Sequence, residues 1–229
     1  MRFLTHGKSG IELSISDEIS SPRVVSEIAS GSYEQREMLF AQRMVSSGDR
    51  VLELGAGLGF VSTVVCKSIE PSYYAAVEAD SRLISHIERT HIKNGVKNVD
   101  VINAIFSSDE RALSEGHLKF GVSKVFWGSA VHKAGQQNIG TVHVRTENAS
   151  RFIEENSINV LIIDIEGGEL DLFRKLYFGG VAKIILEIHP KVFGQAGVRE
   201  IFQILDDNDF VYNAQNSAGP VVSFEKIGA

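Results

Sequence analysis

The chain has 229 residues, of which 43% are apolar, with a mean hydropathy of zero and a net charge of −6. That size suits one well-cored domain over 1–229, and that balance excludes a disordered chain, a membrane-embedded chain and a dedicated binder of duplex nucleic acid. A single cysteine, Cys66, excludes an internal disulfide and a Cys-based zinc site, and the start, Met1 to Gly10, lacks a secretion-signal segment, so a cytoplasmic protein is expected.

Gly10–Ile15 alternates as a short strand would. Ser21-Pro22 is a helix start, with Val24, Val25 and Ile28 on one face and Gly31 as the stop. A second helix is expected from about Tyr33 to Val45, so residues 1–48 are expected to form an N-terminal helical cap. From Val51 the rhythm becomes strand, loop, helix. Four apolar runs each end on a carboxylate, at Glu53, Glu78, Asp164 and Glu187. Such runs read as strands buried on both faces. One helix carries Val61, Val64, Val65 and Ile69 and stops before Pro71. The next opens at Asp80-Ser81 and ends near Gly95. Val99–Ile105 reads as a third strand. Residues 106–148 break the rhythm and hold His117, Phe120, Phe126, Trp127, Gly128, His132, Gly135 and His143. They form either an acceptor-side insertion or a surface elaboration packed on its own aromatics. Helices then follow the fourth and fifth strands, and Phe210–Asn213 with Val221–Glu225 reads as a closing hairpin. The alternation implies a doubly wound α/β sheet with right-handed crossovers.

Parallel strands end on one edge, where ligands bind. Four acids would gather there. Glycines 55, 57 and 59 let the loop after the first strand turn sharply beside a ligand. A dinucleotide loop would have glycine where Phe60 stands, and Glu53 beside a pyrophosphate would be unfavourable. An ammonium and a sulfonium suit that carboxylate, and S-adenosylmethionine carries both. Glu78 falls where such folds place their ribose-binding acid, and a carboxylate accepts both ribose hydroxyls. The plainer alternatives are a loop-amide partner for Glu53 and a helix-start acid for Glu78. Asn103-Ala104 ends the third strand, either facing the adenine or simply closing the strand.

These residues resemble the FkbM-type methyltransferases, a branch of the class I S-adenosylmethionine-dependent enzymes. Glu53-x-Gly55-x-Gly57-x-Gly59 is similar to the general cofactor motif. Asp164-Ile-Glu166-Gly167-Gly168-Glu169 resembles the more specific Asp-x-Glu-Gly-x-Glu segment, Glu187-Ile-His189 the acid-x-His ending, and Tyr33-Glu34 the element before the first strand. The resemblance covers about residues 30–190. It implies a Rossmann-like seven-stranded sheet with an antiparallel last strand, and methyl transfer to a hydroxyl of a sugar or other small molecule. The cofactor-binding set would be Tyr33, Glu53, Gly55, Gly57, Gly59, Glu78, Ala79, Asn103, Ala104 and Asp164. Two departures stand out: Ala79 replaces a common Pro, and Ile162 replaces a common Lys.

An alcohol needs its proton removed in the transition state. Asp164 is placed to hold the cofactor ammonium or to take that proton. His189 titrates nearer neutrality and is the better base, or else it is structural before Pro190. Glu166 faces the crevice, and Glu169 caps or pairs. Asp164, Glu166, Glu187 and His189 are acceptable hard metal ligands, but their spacing demands no metal. The expected partner is a small or glycan-like hydroxyl acceptor, with no nucleic acid and no membrane, and homo-oligomerisation is left open. Two alternatives are a non-catalytic cofactor-binding subunit and a nicotinamide-dependent oxidoreductase.

Overall fold

The computed structural model describes residues 1–123, 130–131 and 140–228. The chain opens with β1 (Arg2–Thr5) paired antiparallel to β2 (Glu12–Ile15). Leu13 and Ile15 are buried beneath this hairpin. Helix α1 (Pro22–Ser30) starts where expected, with Ser21 Oγ accepting from the N–H of Val24 at 3.3 Å, and it ends at left-handed Gly31. Helix α2 (Gln35–Met44) starts two residues later than expected because Glu34 sits at φ 43°. The expected helical cap is therefore half hairpin. Arg2–Thr5 is too short to carry a pattern, and its pairing is fixed by tertiary contacts.

Next come β3 (Arg50–Leu54), α3 (Phe60–Ser68), β4 (Tyr73–Glu78), α4 (Ser81–Lys93) and β5 (Asp100–Asn103). Ser14 on β2 ties the hairpin to α4: its N–H donates to Thr90 Oγ1 at 3.0 Å, and its hydroxyl bonds His86 Nδ1.

After Asn103 the chain leaves the main sheet. The expected strand Val99–Ile105 breaks at Ala104, and β6 (Ile105–Ser107) joins a second sheet. That sheet is completed by β7 (His117–Val122), β8 (Ala130–Val131) and β9 (Gly140–Asn148), in the order β6-β9-β7-β8, with α5 (Glu110–Glu115) between β6 and β7. Weak periodicity hid these strands for a physical reason. Most of β9 is exposed, and the small core they share is Phe120, Val122 and Val144 packed on Ala79 and Ile105. His117 and His143 lie on β7 and β9, while Phe126, Trp127, Gly128, His132 and Gly135 lie outside the described residues.

Helix α6 (Ala149–Glu155) leads back to β10 (Val160–Ile163), followed by α7 (Glu169–Phe173), β11 (Lys183–Glu187), α8 (Pro190–Asp206, broken at Gly194), β12 (Phe210–Tyr212) and β13 (Val221–Lys226). The main sheet has seven strands in the order β12-β13-β11-β10-β3-β4-β5. β13 runs antiparallel to β11 and β12, and the remaining pairs are parallel. Successive side chains point to opposite faces, so each strand feeds two cores. Val51, Ala76, Ile162 and Ile185 pack beneath the N-terminal elements, α3 and α4. Leu52, Leu161, Ile163 and Ile184 pack beneath α6, α7 and α8. Burial on both faces is why the strands read as continuous apolar runs. No helix among the described residues is long and apolar enough to cross a membrane.

Candidate active site

The C-terminal ends of β3, β4, β5, β10 and β11 share one edge and open into a cavity of about 1210 Å³. Tyr33, Gly55, Gly57, Glu78, Ala79 and Ala104 line it, and so do Asp164, Glu166, Glu187 and His189. The four strands that end on carboxylates thus bring Glu78, Asp164 and Glu187 together. Glu53 stands apart.

The glycine loop is held against its neighbours. The N–H groups of Gly55 and Ala56 both donate to the carbonyl of Val77, at 2.9 and 3.0 Å. Gly55 has φ 89°, and a Cβ there would stand 1.7 Å from the carbonyl oxygen of Asp164. Only glycine lets this loop press on the end of β10. Gly59 serves packing instead. A Cβ there would meet Ile87 at 2.9 Å, so the residue brings α3 close to α4 and lies off the cavity wall.

Glu78 accepts from the N–H of Gly57 at 2.9 Å and from that of Asp80 at 2.8 Å, one bond to each oxygen. Burial pushes its carboxyl up to about 7, against backbone bonds from Asp80, Gly57 and, more weakly, Ala79. A carboxylate has about four acceptor positions, so room remains for the hydroxyls of a ribose.

Two expected contacts move elsewhere. Glu53 is 3% exposed and accepts from the hydroxyl of Tyr74 at 3.0 Å. Burial pushes it up to about 8. It does not line the large cavity but a small adjoining pocket beside Glu34 and Asp164. Depth along the strand decides this: Glu53 pairs in register with Ala76 and Ile162 of the α3-side core, two residues short of Glu78 and Asp164, which share that face and reach the cavity. The amide of Asn103 donates to the carbonyls of Glu78 and Ala79 at 2.8 and 3.0 Å. It fixes the turn after β4, and the cavity wall there is Ala104.

At the other end of the cavity, His189 stands among carboxylates. Its Nε2 is 3.7 Å from Asp164 Oδ1 and 3.5 Å from Glu166 Oε2, and its Nδ1 is 3.0 Å from Glu169 Oε1. Glu169 is fully buried and also accepts from the N–H of Gly167 at 3.0 Å and of Ile165 at 3.3 Å. The short Asp164–Glu169 segment thus folds back on itself, with Glu166 at φ 52°. Burial alone would lower the His189 imidazole, but Glu169, Asp164 and Glu166 outweigh it and raise it well above its ordinary value. His189 therefore holds its proton at neutral pH, which reverses the expectation that it is the ready base. Asp164 and Glu166 are pushed up, first by burial and then by neighbouring carboxylates. These two are the better proton acceptors.

Glu37, in the first turn of α2, was not singled out by the sequence reading. It lines the cavity and hydrogen-bonds Glu187, and burial raises both groups. Two carboxyls bonded in this way hold a proton between them. A pair of acids, Glu34 and Glu37, just ahead of a strand that ends at the ligand edge was the available signal.

A doubly wound sheet with an acid-lined cavity at its strand ends defines a nucleoside-cofactor-binding α/β protein. The methyltransferase FkbM domain family matches residues 55–212, and the chain belongs to that family. S-adenosylmethionine is the family's cofactor. Among curated proteins, a ribosomal protein L11 methyltransferase from Thermotoga neapolitana is 29% identical over 128 residues, 56% of this chain and 41% of that one. The chain thus spans less than half the length of that relative. An uncharacterised protein from Listeria monocytogenes serotype 4b superposes with a TM-score of 0.51 at 13% identity, covering 85% of this chain and 68% of that one. The M. capricolum TrmK structure, in complex with S-adenosyl-homocysteine, has a TM-score of 0.49 at 8% identity, covering 84% and 68%.

Proposed function

We propose that this chain transfers a methyl group from S-adenosylmethionine to a hydroxyl oxygen of a small molecule or sugar. The observation that carries the reading is the meeting of Glu78 with Asp164, Glu166 and His189 in one cavity at the strand ends.

The donor set fits the cofactor. Glu78 suits the ribose hydroxyls, Ala79, Ala104 and Leu83 offer apolar wall for the base, and Asp164 suits the ammonium. When bound there, S-adenosylmethionine supplies an electrophilic methyl group on a sulfonium. The chain's own part is to orient the acceptor and to take its proton. Asp164 or Glu166, raised by burial and like charge, accepts that proton on a carboxylate oxygen once the positive charge of the bound cofactor has returned it to the ionised form. The protonated His189, pinned by Glu169, stands between the two acids and offsets their mutual repulsion. Leu118 and Phe120 of β7 also line the cavity, which supports residues 106–148 as the acceptor-side element.

A ribosomal-protein acceptor is raised by the name of the Thermotoga neapolitana relative. The net charge of −6 and the acidic cavity favour an acceptor without a phosphate backbone. The test measures S-adenosylhomocysteine release with panels of sugars, small alcohols, ribosomal protein and tRNA, comparing wild type with Asp164→Asn. Turnover on hydroxylated small molecules, lost in the variant, is expected. Turnover on protein or tRNA alone refutes the acceptor class. Calorimetry that finds NAD bound tightly and S-adenosylhomocysteine not at all refutes the whole reading.

A further inference from the structure

The His189 end of the cavity is rich in carboxyls. Glu34, Asp164 and Glu166 line it beside the Glu37–Glu187 pair, which shares a proton; Arg36 and Lys191 lie on the same wall, and His189 stands between Asp164 and Glu166. S-adenosylmethionine, with one carboxylate against its ammonium and sulfonium, brings a net charge of only about +1 at neutral pH. Desolvated like charges repel strongly, so further cationic charge is favoured there.

Geometry says where. One donor atom from each of Asp164, Glu166 and His189 lies within 4.8 Å of the other two. His189 Nε2 stands 3.7 Å from Asp164 Oδ1 and 3.5 Å from Glu166 Oε2, too long for hydrogen bonds. Adjacent ligands on an octahedral ion with bonds of about 2.1 Å stand about 3 Å apart. Closing the two histidine gaps by about 0.5–0.7 Å, with the two acids adjacent or opposed across the ion, lets one ion touch all three.

Two further observations point to a ligand. Asp164 Oδ1 has no solvent exposure and accepts no hydrogen bond among the described residues. The imidazole is also oriented as metal-binding imidazoles are. Its Nδ1 is engaged by Glu169, a fully buried carboxylate itself fixed by backbone N–H groups, so Nε2 is the nitrogen aimed at the two acids. A carboxylate behind the distal nitrogen of a histidine is the usual outer support of a metal ligand.

We propose that Asp164, Glu166 and His189, whose Nε2 proton passes to solvent as the ion binds, form a binding site for one divalent cation of the Mn²⁺ type, which accepts both carboxylate oxygen and imidazole nitrogen. Three protein ligands leave positions open, and these face the cavity, where an acceptor's hydroxyl oxygen can coordinate. That last role rests on the methyltransferase reading; the cation site does not.

The probe is Mn²⁺ itself. Protein stripped with a chelator is titrated with MnCl₂, and free Mn²⁺ is followed by its electron paramagnetic resonance signal. Wild type is expected to bind one equivalent. Asp164→Asn, Glu166→Gln and His189→Ala should each weaken binding at least tenfold, with the fold checked by circular dichroism. Glu169→Gln, which leaves all three ligands in place, should weaken it by about 10–100-fold. The exposed variant Glu110→Gln should bind as wild type does. Absence of Mn²⁺ binding by wild type overturns the proposal, as does binding that the ligand variants leave unchanged. Calorimetry with S-adenosylhomocysteine on the same stripped protein keeps the two readings separate, because cofactor binding there leaves the methyltransferase reading standing whatever Mn²⁺ does.

Discussion

Glu53 is a buried acid at the centre of the sheet, and its replacement by glutamine should make the protein more stable at alkaline pH. Its side chain is 3% exposed and it accepts hydrogen bonds from Tyr74 and Ser62. Burial lifts its carboxyl from the usual 4.5 to about 8. A raised value in the folded state means the fold holds a proton that the unfolded chain has released. The stabilisation is complete below pH 4.5 and is lost as the pH rises through about 8. Within that window stability falls by about 1.4 kcal/mol per pH unit from this residue, hence by at most roughly 5 kcal/mol in all. Glutamine keeps an oxygen for the Tyr74 hydroxyl and does not titrate. Glu78, Asp164, Glu166 and Glu187 are also raised, but they are common to both proteins and cancel in the difference.

Urea unfolding of cofactor-free wild type and Glu53→Gln at pH 5, 7 and 9 measures that difference directly. The variant should be equal or slightly weaker at pH 5 and several kcal/mol stronger at pH 9. Parallel pH dependences for the two proteins would refute the reasoning, since a Glu53 that titrates normally cannot be a buried, neutral core group. The same pair separates a structural Glu53 from one that holds the methionine end of the cofactor. S-adenosylhomocysteine affinity should be unchanged, and a large loss would return Glu53 to the binding site.

Glu78→Gln should weaken S-adenosylhomocysteine binding about tenfold or more by calorimetry, because a hydrogen bond to a charged group contributes about 1.5–3 kcal/mol; equal affinity would remove Glu78 from the ribose role. Gly55→Ala should destabilise far more than Gly95→Ala. Both glycines have positive φ, but a Cβ at Gly55 would stand 1.7 Å from a carbonyl oxygen and one at Gly95 meets nothing within 4 Å. The Gly95 change should cost about 1–2 kcal/mol in urea unfolding, and equal losses would show that the loop does not press on β10. Glu169→Gln should bring His189 down from about 9 towards its ordinary 6.5, read by NMR titration of the imidazole protons; an unmoved value would mean that Glu169 does not set its charge.

The seven-stranded sheet was legible because its strands are buried on both faces, which forces continuous apolar runs, and because parallel order puts their ends on one edge. The acids that finish those runs could therefore be placed before their contacts were known. What sequence could not supply was the direction of each side chain. Glu53 and Glu78 both sit at strand ends and read alike, yet Glu53 is still inside the paired strand and points into the α3-side core, while Glu78 is the last residue of β4 and turns to the loop amides. Glu53 pairs with Ala76, two residues short of Glu78 on the same face of the sheet, so depth along the strand separates a core group from a cavity group. The second sheet was hidden for the opposite reason. Its strands bury one face against few residues, Phe120, Val122 and Val144, and so leave almost no alternation to read. His189 shows the same limit in electrostatics. An isolated imidazole is a base near neutrality, and only the arrangement of Glu169, Asp164 and Glu166 around it makes it a cation. The motif names the residues, while the turn at Glu166 decides which of them carries the proton.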